Sequence, residues 1–122
     1  MISKVDAVGI PSTDWERSQR FYVETLGLRR DENAKGEFWV GDTCFAIWMP
    51  GQFGEEFVPQ HNSIALLQVD DVAAARAELE AQGVAFEGEI FDTGVCHMAF
   101  FSDPGGNKLM LHHRYAPREV TG

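Results

Sequence analysis

The chain has 122 residues, 44% of them hydrophobic and 24% charged, which is typical of one soluble globular domain with its own core. Its formal net charge of −9 argues against nucleic acid and anionic membranes as partners, because both are bound through clustered lysine and arginine. No apolar run approaches the roughly 20 residues of a membrane-spanning helix, and the first residues lack the apolar stretch of a secretory signal.

The cysteine content agrees with a cytoplasmic location, which we expect for this protein. Only Cys44 and Cys96 are present, and two cysteines are too few for a disulfide framework. We therefore expect both to be reduced thiols.

The first half of the chain is predicted to form a strand, a helix and three further strands. Their expected bounds are 5–10, 14–26, 28–30, 37–40 and 43–49. Thr13 and Glu16 form a candidate capping box at the start of the helix, and Gly27 suits the position after its end. The last two strands flank Gly41 and Asp42, which form a plausible two-residue turn.

The second half repeats the same order of elements. Their expected bounds are 63–69, 71–82, 85–90, 94–101 and 108–113. Asp70 can cap the second helix. Asp14 aligns with Asp71 and Gly27 aligns with Gly83, so a single deletion superimposes the two halves. The sequence therefore predicts the pattern βαβββ twice.

The chain is predicted to be one domain built of two modules and a linker. The bounds are 1–122 for the domain, about 4–49 and 63–114 for the modules, and 50–62 for the linker. Glycine and proline in the linker predict a loop. The linker also carries Phe53, Phe57 and Val58, which a fully solvated segment would lack. We expect these side chains to cover a pocket mouth or a partner surface.

The last two strands flank a tight turn, which is the most informative segment of the chain. Its residues are Asp103, Pro104, Gly105, Gly106 and Asn107. Pro104 fixes φ, and the three residues after it tolerate the positive φ that a reversal requires. Together with Phe101, the segment closely resembles the Phe-x-Asp-Pro-x-Gly-Asn signature of the vicinal oxygen chelate superfamily. That superfamily includes glyoxalases, extradiol dioxygenases and bleomycin-resistance proteins.

The resemblance extends over about residues 4–114. It includes Val8 to Pro11, Asp14 to Arg17, Phe21 to Leu28 and Val69 to Val72. It implies an α+β fold in which two tandem βαβββ modules form a curved, cup-like mixed sheet with the helices on the outer face. It also implies a small-molecule ligand and a homodimer, because members of the superfamily usually dimerise.

The resemblance further implies a metal site, with His, Gln or Glu ligands from the first and last strand of each module. The first-strand positions here are Ala7 and Ile64, and Met110 stands where the family commonly has a Glu. The last strand of the first half offers only Cys44. We therefore expect the standard metal site to be absent and no cofactor to be required.

The histidines leave an alternative open. Successive side chains of a strand alternate, so His112 and His113 point to opposite faces. His97, on the preceding strand, stands opposite either His113 or His112, depending on a register that the sequence does not fix. In the second register, His97 and His112 could hold one divalent metal such as zinc, with Cys96 or His61 as a further ligand.

Aromatic residues on both predicted hairpins suggest a ligand pocket. We predict an aromatic wall of Trp39, Trp48 and Phe100, with Met110 and His112 at the floor. Such a pocket suits a flat or apolar ligand.

Three functions follow from these patterns. The first is a small-molecule-binding protein that resembles the bleomycin-resistance proteins and lacks the standard metal site. The second is a metal-dependent lyase, isomerase or dioxygenase of the same superfamily, with a rearranged site at His97 and His112. The third is an interaction module without a ligand, for which the apolar loop 53–58 is the only particular support.

Overall fold

The computed structural model describes residues 1–121, and within them the chain forms two units of the same design. The first unit comprises residues 1–63 and 103–108, and the second comprises residues 64–102 and the described residues from 109 onward. Each unit follows the order strand, helix and three strands, so the predicted α+β fold with two βαβββ repeats is confirmed. None of the helices within residues 1–121 combines the length and the apolar character that crossing a bilayer requires.

The first unit is a four-stranded mixed sheet with one helix. Its elements are β1 (Ala7–Pro11), α1 (Trp15–Arg20) with a π-helical continuation (Phe21–Thr25), β2 (Arg29–Arg30), β3 (Glu37–Val40) and β4 (Thr43–Trp48). The strand order is β1-β4-β3-β2, with β1 parallel to β4 and the other pairs antiparallel. The segment after β4, predicted as a loop, begins with a 3-10 helix (Pro50–Phe53), because Pro50 is preset for the first helical turn.

The second unit has the same topology. Its elements are β5 (Ala65–Gln68), α2 (Val72–Ala81), β6 (Phe86–Asp92), β7 (Cys96–Ser102) and β8 (Lys108–Arg114). The strand order is β5-β8-β7-β6, with β5 parallel to β8. Strands β6 and β7 are antiparallel, and their register shifts between Glu87 and Phe91. Gly88 has φ of 66° there, a conformation that a β-bulge uses.

Both helices begin one residue later than the sequence predicts. The N-cap of α1 is Asp14, whose carboxylate accepts from the Arg17 amide at 3.1 Å, and the N-cap of α2 is Asp71. The predicted capping box at Thr13 does not form. Instead, the Ser12 hydroxyl accepts the Asp14 amide at 3.1 Å, which satisfies the donor nearest the start of the helix. Aspartate and threonine are both favoured as N-cap residues, so the sequence pattern alone could not decide between Thr13 and Asp14.

The core of the first unit is aromatic and lies between α1 and the sheet. Tyr22, Phe38 and Phe45 are almost fully buried. The Tyr22 ring lies 6.2 Å from Phe38 and 5.7 Å from Phe45, and Trp15 lies 6.0 Å from Phe38. These contacts identify one face of the sheet as the helix face. The other face lies away from α1, and we call it the first open face.

The core of the second unit lies between α2 and its sheet. The buried members are Val72, Leu79, Ala99, Phe101, Leu109 and Leu111. Phe86 lies 5.1 Å from the Phe101 ring, and the Arg76 guanidinium lies 5.0 Å over Phe86. Because strand side chains alternate, the residues between these core positions point away from α2. That surface is the second open face.

The Asp103 carboxylate is the centre of a buried hydrogen-bond network in the first unit. Its Oδ2 accepts from the Tyr22 hydroxyl at 2.7 Å and from the Asn107 side-chain amide at 2.8 Å. Its Oδ1 accepts from the backbone amides of Gly105 and Asn107 at 3.0 and 2.9 Å. Burial and the adjacent carboxylate raise the pKa of Tyr22 far above its usual range, so this hydroxyl remains a donor.

Asn107 extends that network to other parts of the first unit. Its side-chain amide donates to the Pro11 carbonyl at 2.8 Å, and its side-chain oxygen accepts from the Gln60 amide at 2.9 Å. The Asn107 side chain is therefore satisfied by the end of β1 and by the linker. The signature residues Asp103 and Asn107 have a structural role here.

Candidate functional site

The two predicted ligand-binding tryptophans share the first open face. Phe38 and Phe45 face α1, so their strand neighbours on β3 and β4 alternate to the other side. Trp39 lies opposite Cys44 on this side, and Trp48 lies beside Pro11. Trp39 is 37% exposed and Trp48 is half-buried. Both indoles are thus available to a ligand.

Trp48 is positioned by a glycine and a second aromatic ring. A Cβ placed on Gly9 would lie 3.6 Å from Trp48 Nε1, an ordinary van der Waals distance, so the indole packs directly over the Gly9 backbone. The Phe53 ring lies 6.1 Å from Trp48, edge to face, and is 71% exposed. We call Trp39, Trp48 and Phe53 the aromatic platform.

Trp39 is positioned by a hydrogen bond. Its Nε1 donates to Asp31 Oδ1 at 3.1 Å. The Asp31 carboxylate also accepts the backbone amides of Asn33 and Ala34, and these donors hold its pKa below its usual value. A depression of about 570 Å³ runs beside Trp39 and is also lined by Arg29.

The linker contributes to a smaller cavity of the first unit. This cavity has a volume of about 300 Å³, and its lining includes Phe57, Ser12 and Met49. Phe57 therefore covers a pocket, whereas Phe53 and Val58 are exposed to solvent. The expectation that linker side chains line a pocket is met by Phe57.

The other three predicted ligand residues share the second open face. Phe100, Met110 and His112 alternate with the core positions of β7 and β8. On the neighbouring strand, Leu66 pairs with Met110 and Gln68 pairs with His112. Met110 is buried, Phe100 and His112 are half-buried, and Leu66 is 53% exposed. This face is apolar in the middle and polar at the His112 end.

His112 borders a cavity that the sequence pattern does not predict. The cavity has a volume of about 390 Å³ and is lined by Gln68, Arg114 and Arg118, among others. Burial lowers the pKa of His112, and the positive charges of Arg118 and Arg114 lower it further. The burial and the neighbouring charges thus favour the neutral form of the His112 imidazole. Arg114 at the end of β8 and Arg118 after it are a signal for this cavity, but no local pattern predicts the path of the segment between them.

His97 belongs to a different cluster. Its Nε2 lies 3.4 Å from Asp92 Oδ2, and its ring lies 4.9 Å from Tyr115. The Tyr115 hydroxyl donates to Asp92 Oδ1 at 2.7 Å, and this bond raises the pKa of Tyr115. His97 lines a cavity of about 400 Å³ together with His113. His97 and His112 line separate cavities.

The remaining candidate metal ligands, Cys96 and His61, each have a polar contact with a neighbouring residue. The Cys96 thiol is buried and lies 3.0 Å from the Thr93 hydroxyl. His61 Nε2 is exposed and lies 3.1 Å from the Gly106 carbonyl oxygen.

The residues at the usual metal positions do not fit a divalent ion. The side chains of Ala7 and Ile64 have no donor atom, and the Met110 thioether is a soft ligand unsuited to magnesium. Cys44 stands opposite Ala7, but burial raises the pKa of its thiol and so disfavours the thiolate that would bind. Across residues 1–121, no three His, Cys, Asp or Glu side chains gather in a metal-binding arrangement. The absence of the standard metal site stays a prediction.

Comparison with known proteins gives a consistent result. A family model described as "Glyoxalase/Bleomycin resistance protein/Dioxygenase superfamily" matches residues 4–111. The structure is similar to that of TnmS3, an antibiotic binding protein from Streptomyces sp. CB03234. The two share 30% identity and a TM-score of 0.73 over 93% of this chain and 97% of that one. A search of curated proteins found no match.

Two further solved structures support the fold. A glyoxalase/bleomycin resistance protein/dioxygenase superfamily member from Sphaerobacter thermophilus has 24% identity and a TM-score of 0.76, over 91% of this chain and 97% of that one. A putative glyoxalase family protein from Bacillus anthracis has 20% identity and a TM-score of 0.79, over 93% of this chain and 97% of that one.

Proposed function

Because this chain belongs to the glyoxalase/bleomycin resistance protein/dioxygenase superfamily, we propose that it binds small apolar molecules and needs no metal to do so. The observation that carries the proposal is the aromatic platform of Trp39, Trp48 and Phe53 on the first open face. The similarity to an antibiotic binding protein at 30% identity points to the same class of function.

The platform suits a flat aromatic ligand for a physical reason. Large rings on a sheet surface expose apolar area to water, and a stacked ligand removes that area from solvent. The contacts of Trp48 with Gly9 and of Trp39 with Asp31 hold the rings in place before binding. Less conformational entropy is then lost when a ligand docks.

Removal of metal is expected to leave ligand binding unchanged. The neutral aromatic probe N-phenyl-1-naphthylamine should quench tryptophan emission with the same dissociation constant before and after dialysis against a chelator, within about twofold. Elemental analysis of untagged protein should find no stoichiometric metal. A tenfold or greater loss of affinity that added zinc restores would contradict the proposal.

The second candidate function is a metal-dependent lyase, isomerase or dioxygenase with His97 and His112 at its site. It is favoured only by the Asp92 carboxylate beside His97, because a carboxylate in this position often orients a metal-binding histidine. About one metal per chain, lost in His112→Ala together with activity, would establish this candidate and displace the first.

We also propose that the protein is a cytoplasmic homodimer. Free Cys44 and Cys96 suit a reducing compartment, and the exposed apolar side chains of Ile90 and Phe91 suit a covered surface. Light scattering is expected to give twice the mass of one chain, and cell fractionation should recover the protein in the soluble cytoplasmic fraction. The mass of a single chain at high concentration would contradict the dimer.

A further inference from the structure

We propose that the second open face binds an aromatic anion, whose charged group is held by a basic pocket formed by His112, Arg114 and Arg118. The proposal rests on the function above and adds to it a second binding surface, on the second unit, for ligands that carry a negative charge. It concerns a cavity of about 390 Å³ within the second unit.

The basic pocket is unusual for a chain of this charge. The protein has a net charge of −9 and only 10 lysine and arginine residues. Two of those arginines, with His112 and His113, line this one cavity, and Asp70 is the acidic residue that borders it. Within residues 1–121, neither Arg114 nor Arg118 takes part in an ion pair. Asp70 is the single acidic residue in that lining, so positive charge is in excess there, and an anion would relieve the repulsion between the two guanidinium groups.

The segment after β8 is folded so that it builds the pocket. Arg114 Nε donates to the Ala116 carbonyl at 2.8 Å, and one of its terminal nitrogens donates to the Pro117 carbonyl at 3.3 Å. These bonds turn the chain so that Arg118 borders the same cavity as Arg114. The other terminal nitrogen of Arg114 retains its N–H groups for a ligand.

His112 and Gln68 supply neutral donors beside the two guanidinium groups. They are partners across β8 and β5, so their side chains project from the same face. An oxyanion can accept hydrogen bonds from an imidazole N–H and an amide N–H as well as from arginine. The pocket therefore offers several converging donors to one acidic group.

Apolar surface continues directly from the pocket along the same face. Met110 precedes His112 by two residues on β8, and Leu66 lies opposite Met110. Phe100 on β7 faces the same side. A ligand with an apolar ring system and an acidic group at one end would match this sequence of surfaces.

Two fluorescent probes of nearly the same shape test the proposal. 8-Anilinonaphthalene-1-sulfonate carries a sulfonate, and N-phenyl-1-naphthylamine is its uncharged counterpart. Arg118→Gln is expected to weaken binding of the sulfonate about fivefold, the size of effect of a partly exposed charge pair, and to leave the neutral probe unchanged. Arg118→Lys should restore most of the loss. Binding of the sulfonate alone should weaken between about 0.01 M and about 1 M salt.

Arg20→Gln is the matched control, because Arg20 is an exposed arginine of α1 and its loss changes the net charge equally. It should change neither affinity by more than about twofold. If the neutral probe binds but Arg118→Gln leaves the sulfonate unaffected, the basic pocket is refuted and the proposed function stands. Equal weakening of both probes would also refute it, because the loss would then not depend on charge. Failure of both probes to bind would overturn the proposed function as well.

Discussion

Asp103→Ala is expected to lower the free energy of unfolding by about 3–5 kcal/mol, the cost of leaving partners of a buried charged group unpaired. The carboxylate is 5% exposed and accepts four hydrogen bonds. Alanine would strand the Tyr22 hydroxyl, two backbone amides of the turn and one donor of Asn107. Urea denaturation followed by tryptophan fluorescence measures the loss.

Tyr22→Phe is the matched control for that experiment. It removes one hydroxyl and leaves Asp103 Oδ2 with its bond from Asn107. It should cost about 1–2 kcal/mol, since only one hydrogen bond is lost. If Asp103→Ala cost no more than Tyr22→Phe, the carboxylate would not be the centre of the network.

Trp48→Ala is expected to weaken binding of N-phenyl-1-naphthylamine to the first open face by about 30-fold, or about 2 kcal/mol, the effect of losing a hot-spot aromatic. The indole lies over Gly9 and contacts the Phe53 ring of the platform. Its removal also leaves Phe53 without its aromatic partner. Quenching of the remaining tryptophans gives the dissociation constant.

Two variants control for the loss of a fluorophore and for the loss of a ring. Trp15→Phe removes a tryptophan that packs on Phe38 at the helix face, so binding should persist. Trp48→Phe keeps an aromatic surface and should recover much of the affinity. An unchanged dissociation constant in a folded Trp48→Ala protein would exclude the platform as the binding surface.

The strands of both sheets are predictable from the sequence because strand alternation is a strong local signal. Glu37–Val40 has the expected bounds, and most of the other strands differ from expectation by one or two residues at their ends. Helix caps are less predictable, since adjacent side chains such as Thr13 and Asp14 compete for the same amides. The π-helical turn at Phe21–Thr25 contains the buried Phe21 and Tyr22, and the helical spacing of apolar residues does not predict it.

The candidate site is predictable where it depends on alternation and unpredictable where it depends on the path of a loop. Alternation along a strand is enough to assign Met110 and His112 to one face. The partner of His97 depends on register, which local sequence leaves open. Arg118 is not predictable in this way, because its position depends on hydrogen bonds of Arg114 with carbonyl groups further along the chain.

The buried network of the turn also bears on how the protein is made. The hydrogen bond between Tyr22 and Asp103 joins residues 81 positions apart, and the bond between Asn107 and Pro11 spans 96 positions. During synthesis, the first unit has all of its strands long before the ribosome delivers this turn. Until then, the Tyr22 hydroxyl and the Pro11 carbonyl lack the hydrogen-bond partners that they have in the folded protein, because those partners have not yet been synthesised. Completion of the first unit therefore waits until residues 64–102 of the second unit have been synthesised.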